Sequence, residues 1–594
     1  MKILKPIVYF SLFISLLSCS SFPNKPEKVE TGNYSFAKKY LDYLGKEAMD
    51  KNKIRGLAIT VMDEKEILFE KNYGEEKEDT AFTETSPFRI ASVSKLFTAL
   101  SIMQLVEKKK LNLKDPLKKY IPEFRLKNGS ESKITLEMLL AHRSGLPSVA
   151  KDFYINEGVD KAEDILVTLS GMDLIAEPGT KFQYCNTCYN LLSKIIEKVS
   201  KQNYEDYIKN QIFIPLEMNS SEVFLKDINS VYGYERLKLF SAERVKNFPI
   251  RDRGAGSIIS NLSDMKKFLQ FLLAPERKPG IVKSESLQRM YELLFPDSSE
   301  VRFGKYGIGF MVNLLKVQNS ELNVGHGGDL PGFTSALFYL PQDKLGGIVF
   351  ANTGTARMAR FKLLNEGLSA FLEAKTGKEY KLPQKEERKF VPLDDKELSS
   401  LVGFYQGAGI AFSIEKEGNS LTFFSRGQKL NLQHLGNQNF GIYIKLLGLF
   451  NIDLSPAFFL SDSTSIKFEK QESGKIRAIL QMKYAGFQID TISEKVEWEE
   501  DRELYKDVLG NYLITEDSLR HTDKSFLPVN RIQLLKVKDK PLLIRNFAEK
   551  QMMAEVYGSY ESANTFFLPE IGHIYQEGDL IRFSGLVYKK EKAK

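Results

Sequence analysis

The chain is short of the groups that would mark several common functions. It has three cysteines and five histidines in 594 residues, and no histidine spacing recommends a metal site. It lacks a Walker loop and a G-x-G-x-x-G stretch, so no nucleotide is implied. Beyond its first residues it has no run of about 18 apolar residues, which leaves no helix able to span a bilayer. Neither sign of charge dominates, because 84 basic residues stand against 77 acidic ones for a net charge of +7. Clusters such as Lys108-Lys109-Lys110 have acids nearby and read as solvated faces. Without a basic stripe interleaved with aromatics, nucleic acid is not an expected partner. There is no low-complexity tract, and with 42% hydrophobic and 27% charged residues the composition is globular. The length exceeds the ~250–300 residues at which single cores stop growing, so more than one domain is expected.

The N-terminus is built as an export signal. Lys2 and Lys5 precede an apolar run from Ile7 to Leu17 that is too short to cross a membrane. Leu16-Leu17-Ser18-Cys19 resembles the bacterial lipobox, in which the cysteine is lipidated and becomes the mature N-terminus. The expectation is a signal peptide over 1–18 and a tether over 19–35. The protein would be an exported bacterial lipoprotein, anchored through Cys19 and facing the periplasm or cell surface. The remaining cysteines form the pair Cys185-x-x-Cys188. A redox role would need a βαβ context, and zinc would need two further ligands nearby; neither is present in the sequence. A disulfide is permitted outside the cytosol. The reading adopted is two small buried residues.

Gly56–Met62 and Ile67–Phe69 flank a charged turn and predict a β-hairpin. Apolar spacing predicts helices over 93–108, 134–141, 189–199 and 262–273, and strands return over 335–340 and 346–351. Helices packed on an antiparallel sheet, an α+β fold, follow from that order. Residues 376–395 are charged, contain proline and lack periodicity, as a linker would. Beyond it, short β runs form an all-β region, divided into modules at 396–495 and 496–594. The division rests on an echo of Leu401-Val402-Gly403-Phe404-Tyr405 in Val508-Leu509-Gly510-Asn511-Tyr512.

Three short motifs carry the chemistry. S-x-x-K occurs at Ser35, Ser92, Ser130 and Ser263, Y-x-N at Tyr154 and Tyr184, and H-x-G at His326 and His434, so no single occurrence is informative. Only Ser92-Val93-Ser94-Lys95 opens a helix flanked by apolar residues. There the helix dipole favours a developing oxyanion, and Lys95 lies one turn on with its stem buried. Ser263 reads instead as the cap of a surface helix, with Lys266 in solvent. Tyr184-Cys185-Asn186 follows a Pro178-Gly179-Thr180 turn, and His326-Gly327-Gly328 enters a strand-rich stretch. Together they supply a nucleophile, an amine, a phenol and a close-approaching backbone, which acyl transfer through a serine ester requires.

At these motifs the chain resembles the serine β-lactamase and penicillin-binding-protein family, in its class C-like branch of esterases and D-peptidases. The resemblance covers about residues 36–375 and includes Phe88–Ala99, Ile134–Pro147, Pro178–Leu192, Tyr306–Phe310 and Val324–Phe333. It implies a β-lactamase/transpeptidase-like domain in which Ser92 is the nucleophile and Lys95 the neutral amine that deprotonates it. Tyr184 would relay the proton to the leaving group as phenol or phenolate, its pKa lowered by charge on Lys95. Asn186 would position substrate and Lys95, and the backbone N–H groups of Ser92 and Asp329 would form the oxyanion hole. His326, Gly327, Gly328 and Asp329 would line the acyl site.

The chain departs from the family where Lys-Thr-Gly usually holds a substrate carboxylate. Imidazole with an unperturbed pKa of ~6.5 is mostly neutral, and glycine brings no hydroxyl. β-Lactam hydrolysis should therefore be weak or absent, and small esters or D-amino-acid peptides are the expected substrates, without metal or organic cofactor. A cationic His326 would raise activity on carboxylate-bearing substrates as pH falls. The competing reading is a non-catalytic envelope-binding lipoprotein that uses the fold as a scaffold. Oligomeric state is left open by the sequence, and His142 reads as a structural residue of the His142–Pro147 turn.

Overall fold

The computed structural model describes residues 22–590 apart from 128, 148–163, 225–230, 236–242, 246, 248–249, 296–304, 384–388, 497–509 and 515–530. The connections at 408–409, 426–427, 447–449, 454–462, 485–486, 537–541, 549–550, 563–564, 569–571, 578–579 and 584–585 are also outside it. Cys19, the signal segment and Tyr154 therefore lie outside the described residues. Among the described residues no helix is long and apolar enough to cross a membrane, and no group of three or more potential metal ligands occurs.

An eight-stranded antiparallel sheet forms the centre of the first domain. Its strands are β1 (Gly56–Asp63), β2 (Ile67–Lys77), β3 (Thr80–Ala81), β4 (Lys305–Tyr306), β5 (Met311–Val312), β6 (Val324–Leu330), β7 (Phe333–Leu340) and β8 (Leu345–Ala351). The order across the sheet is β3-β2-β1-β8-β7-β6-β5-β4. The two ends of the domain thus meet at its middle, with Leu57 opposite Ala351 and Asp63 opposite Leu345. The central strands are apolar at nearly every position because both faces are covered. Leu57, Ile59, Val61, Ala336, Phe338, Leu340 and Val349 point to one side, against α1 (Ser35–Asn52) and α7 (Ala359–Thr376). Ala58, Met62, Leu337, Tyr339, Ile348 and Phe350 point to the other, against a helical subdomain.

That subdomain contains α2 (Ser94–Glu107), α3 (Leu136–Leu140), α4 (Asn186–Ser200), the short α5 (Arg253–Gly256) and α6 (Leu262–Leu273). α2 has twelve buried residues and no polar face, since other elements enclose it on all sides. Phe88, just before it, stacks on Phe350 at 4.5 Å and meets Phe333 edge-on at 5.4 Å, joining the subdomain to the sheet. Asn261 caps α6 through its side chain, and Lys266 is not in solvent as expected from its surface-helix context. It is drawn inward by Glu70, 2.6 Å away, and Glu84, 2.5 Å away.

The stretch expected to be a flexible tether is docked from Phe22 onward. Phe22 packs edge-on against Tyr40 and Tyr43, Val29 is buried, and Lys25 pairs with the buried Glu373 of α7 at 2.8 Å. Its proline and polar composition suggested mobility, but the partner of Lys25 lies some 350 residues away, beyond local sequence patterns. Past α7, two β-barrels follow among the described residues. The first closes when Gln428–Gly436 pairs with Asn439–Leu446, and Tyr405, Phe412, Phe423, Phe440 and Phe468 fill its core. The second is a closed barrel from Gly510–Ile514 to Leu586–Lys590. The echoed segments open equivalent strands, each paired with the next and the last strand of its own barrel.

Candidate active site

Ser92 sits in a turn fixed from several directions. Ile90 N–H donates to Ile258 O at 3.1 Å, and Ser335 Oγ, on β7, donates to Ile90 O at 2.7 Å. The next residue, Ala91, has φ +49°, a left-handed conformation that costs a non-glycine residue on the order of 1–3 kcal/mol and persists only where surroundings over-determine it. A 3-10 turn over Ala91–Val93 then feeds α2, leaving Ser92 partly exposed while its neighbours are buried. Lys95, one turn on, is fully buried.

The contacts of Lys95 define its state. Its Nζ lies 2.8 Å from Asn186 Oδ1, 2.9 Å from Ala255 O and 3.2 Å from Ser92 Oγ. Burial drives the amine pKa well below its ordinary value, against an opposing pull from the charge of Asp252. A neutral amine has two N–H bonds and one lone pair. Asn186 Oδ1 and Ala255 O can only accept, so they take the two N–H bonds. The lone pair is left facing the Ser92 hydroxyl, the arrangement of a general base beside its nucleophile.

Tyr184 completes this wall. Its hydroxyl is hydrogen-bonded to Ser92, and Lys95 Nζ stands 4.7 Å from its ring centroid and 5.3 Å from that of Tyr189. Burial raises the Tyr184 pKa, with the Ser92 hydrogen bond acting in the opposite direction. This corrects the expectation of a phenol acidified by a cationic Lys95. Burial disfavours both charged forms, an ammonium on Lys95 and a phenolate on Tyr184, because each would lose its water.

On β6 the side chains alternate. His326 pairs across from Leu337 and Gly328 from Ser335, on the subdomain face; Gly327 lies across from Ala336, on the α7 face. A Cβ at 328 would come within 2.4 Å of Ile90 O and 3.0 Å of Ala91 Cβ, so this glycine lets the strand touch the Ser92 turn. A Cβ at 327 would meet Phe361 at 2.9 Å and Arg360 at 3.2 Å, away from Ser92. His326 is fully buried, and its Nε2 lies 2.9 Å from Tyr306 OH. Burial, reinforced by Lys95, pushes its pKa down to about 3, so the imidazole is neutral across the physiological range and a cationic role is set aside. Asp329 holds no free charge either, since Arg360 on α7 engages both its carboxylate oxygens.

The structure therefore brings Ser92, Lys95, Tyr184 and Asn186 together, with His326 and Gly328 on the facing strand and Gly327 turned away. Cys185 and Cys188 are joined in a disulfide at the start of α4, so they are not two separate thiols. The other S-x-x-K serines play no part: Ser35 is exposed at the start of α1, and Ser130 and Ser263 belong to other elements. His434 is far along the chain, in the first barrel, its Nδ1 3.0 Å from Val391 O. Sequence reasoning assigned no role to Ala255, Ser335, Tyr306 or Arg360. Their roles depend on contacts across long sequence separations, and only Tyr306, within the Tyr306–Phe310 stretch, carried any signal.

The fold and this arrangement define the β-lactamase/transpeptidase-like class. The chain belongs to the Beta-lactamase family, whose pattern matches residues 41–368. It is similar to Protein flp of Staphylococcus aureus (strain NCTC 8325 / PS 47), with 29% identity over 319 residues, 52% of this chain and 62% of that protein. The chain thus spans about three-fifths of the length of the curated relatives it matches. Among solved structures, an octameric penicillin-binding protein homologue from Pyrococcus abyssi shares the fold, with a TM-score of 0.51 and 24% identity over 76% of this chain and 99% of that one. SurE does so with a TM-score of 0.53 and 20% identity over 78% of this chain and 100% of that one.

Proposed function

We propose that the protein is a serine hydrolase that works through a Ser92 acyl-enzyme on esters or D-amino-acid peptides, preferring acyl donors without a free carboxylate. The observation that carries this reading is the proton inventory of Lys95: two acceptors consume its N–H bonds, and its lone pair faces Ser92 Oγ at 3.2 Å. Ser92 gives its proton to Lys95 Nζ as Oγ bonds to the substrate carbonyl carbon. The carbonyl oxygen becomes an oxyanion held by the N–H groups of Ser92 and Asp329. As the tetrahedral species collapses, the Tyr184 hydroxyl protonates the leaving alkoxide or amine, and the proton on Lys95 returns to Tyr184. Water repeats the sequence on the ester and frees Ser92.

The preference against carboxylates rests on charge. His326 occupies the usual cation position but is neutral, and Lys95 is neutral as well. Arg360 and Arg357 already engage Asp329, and Arg357 also reaches Glu235 at 3.3 Å. Weak or absent β-lactam hydrolysis follows. Export with a lipid on Cys19 is part of the same proposal, supported by Leu16–Cys19 and the preceding apolar run. Incorporation of an alkyne fatty acid into wild type but not Cys19→Ser would test it.

Intact mass spectrometry tests the activity. The protein truncated before Phe22 is mixed with an activated short-chain ester, a penicillin and a fluorophosphonate, with Ser92→Ala as control. An adduct on wild type alone is expected. No adduct from any reagent on folded protein would overturn the enzymatic reading and favour a binding scaffold that uses the barrels.

A further inference from the structure

We propose that His142 is a positioning residue that holds Tyr184 in place by gripping the chain on both sides of it. The proposal rests on the acyl-transfer reading above only for the role of Tyr184, not for the grip itself. His142 lies just after α3, is fully buried, and has φ +57°. Its carbonyl accepts the Gln183 N–H at 2.7 Å, and its Nδ1 accepts the Cys185 N–H at 3.0 Å. The backbone amides immediately before and after Tyr184 therefore end on one histidine. The imidazole itself lies against the phenol, ring centroids 4.5 Å apart.

The surrounding turn extends this attachment. Gly179 N–H donates to Arg143 O at 2.8 Å and Ile175 N–H to Gly145 O at 2.9 Å, so residues 142–145 receive the chain from 175 to 185 in sequence. Gly145 is needed there, because a Cβ on it would stand 1.9 Å from Ala176 O.

A space-filling role does not account for the residue type. With Nδ1 accepting, the neutral ring carries its proton on Nε2, and that buried atom has no hydrogen-bond partner among the described residues. Its neighbours there are rings, with Tyr306 at 4.7 Å and Tyr189 at 5.2 Å. A buried unpaired donor costs stability, and a left-handed backbone at a residue other than glycine adds to that cost. Histidine at this position gives up stability and provides an acceptor for Cys185 together with a flat wall for Tyr184. Tyr184 in turn places its hydroxyl on Ser92.

The test is a double-mutant cycle read on a neutral activated ester, p-nitrophenyl butyrate, together with hydrogen exchange of the peptide spanning 183–187. His142→Gly keeps the left-handed backbone and removes the acceptor. It should lower kcat by about 10- to 100-fold, with KM changed less than about threefold. Exchange at the Cys185 amide should rise by about tenfold or more, as expected when local protection is lost. His142→Asn tolerates the backbone, and its Oδ1 can accept from Cys185, so it should recover most of the activity. In a Tyr184→Phe background, His142→Gly should cost less than about threefold, since residues acting as one unit are non-additive.

An equal loss with or without the Tyr184 hydroxyl would overturn the proposal, as would unchanged exchange at Cys185. Should wild type turn over no ester, the acyl-transfer reading fails, and the exchange measurement still decides whether His142 grips this segment.

Discussion

Arg360 holds both carboxylate oxygens of Asp329 at 2.7 Å, and its Nη1 also reaches Gly328 O at 2.6 Å. A buried guanidinium on α7 thus fixes the strand that faces Ser92 from behind. The planar fork makes this attachment directional, which a lysine could not reproduce.

Replacing Arg360 with Met leaves Gly328 O without its donor and Asp329 with only its longer contacts to Arg357 at 3.6 Å and Thr334 at 3.4 Å. Because Asp329 is partly exposed, the stability loss should fall below that for a fully buried pair, at roughly 2–3 kcal/mol. Urea unfolding followed by fluorescence will measure it. Acylation of Ser92 should slow more than ester KM changes, since the strand backbone is what shifts.

The two adjacent glycines should respond differently. In Gly328→Ala the new methyl meets backbone, Ile90 O at 2.4 Å, so the Ser92 turn must move. In Gly327→Ala it meets side chains, Phe361 at 2.9 Å and Arg360 at 3.2 Å, on the face of the strand turned away from Ser92. Acylation rate should collapse in the first variant and survive within about tenfold in the second, the surplus being lost strand geometry at the reacting centre. Stopped-flow with a chromogenic ester distinguishes them.

Lys95→Met removes the proposed base and should lower acylation by about 10²- to 10⁴-fold. In wild type the active form carries the neutral amine. Activity should therefore fall as pH drops through the depressed pKa of Lys95 and level off above it. His326, with its pKa at about 3, adds no inflection between pH 5 and 8. An inflection in that window that disappears in His326→Gln would contradict the neutral imidazole.

The same imidazole couples stability to pH with a definite sign. His326 titrates near 6.5 when unfolded and at about 3 when folded, so between those values the unfolded chain binds more protons. Stability should rise with pH across that window, by up to about 1.4 kcal/mol per pH unit from this group, and the contribution is complete above the unfolded value. His142, held down by the same burial, acts in the same direction. Thermal midpoints measured from pH 5 to 7 should show a shallower slope in His326→Gln.

Substrate charge gives a further prediction. A D-alanyl-D-alanine donor capped at its C-terminus as an amide or methyl ester should have kcat/KM equal to or above that of the free acid. A tenfold preference for the free acid, a difference of about 1.4 kcal/mol, would mean that a cation reaches the site after all.

Much of the site was legible because its chemistry is local. Ser92 and Lys95 share one helical turn, and Asn186 opens the helix that Tyr184 enters, so spacing alone brings each pair together. The hairpin and α6 were legible for a similar reason, since alternation, period and capping are short-range, whereas α2, uncapped and buried all round, was marked only by its apolar run. What remained hidden depends on long-range contacts. The Arg360 grip on Asp329 spans 31 residues, the Ser335 bond to Ile90 spans 245, and the docking of Lys25 against Glu373 spans most of the domain. The charge states were hidden for another reason. Lys95 and His326 depart from their ordinary pKa values because of burial, which no motif encodes. The pair Cys185 and Cys188 left both a bridge and free thiols open until their place at the start of α4 was known.

The second barrel is a ring in which each strand is bonded on both sides. Such a ring has no terminal strand whose amides and carbonyls could zip onto another chain, which removes the usual nucleus for sheet-to-sheet clumping. It also limits how that module can recognise anything. Whatever it meets must be read by side chains and connecting loops, which can diverge freely while the ring beneath them stays the same.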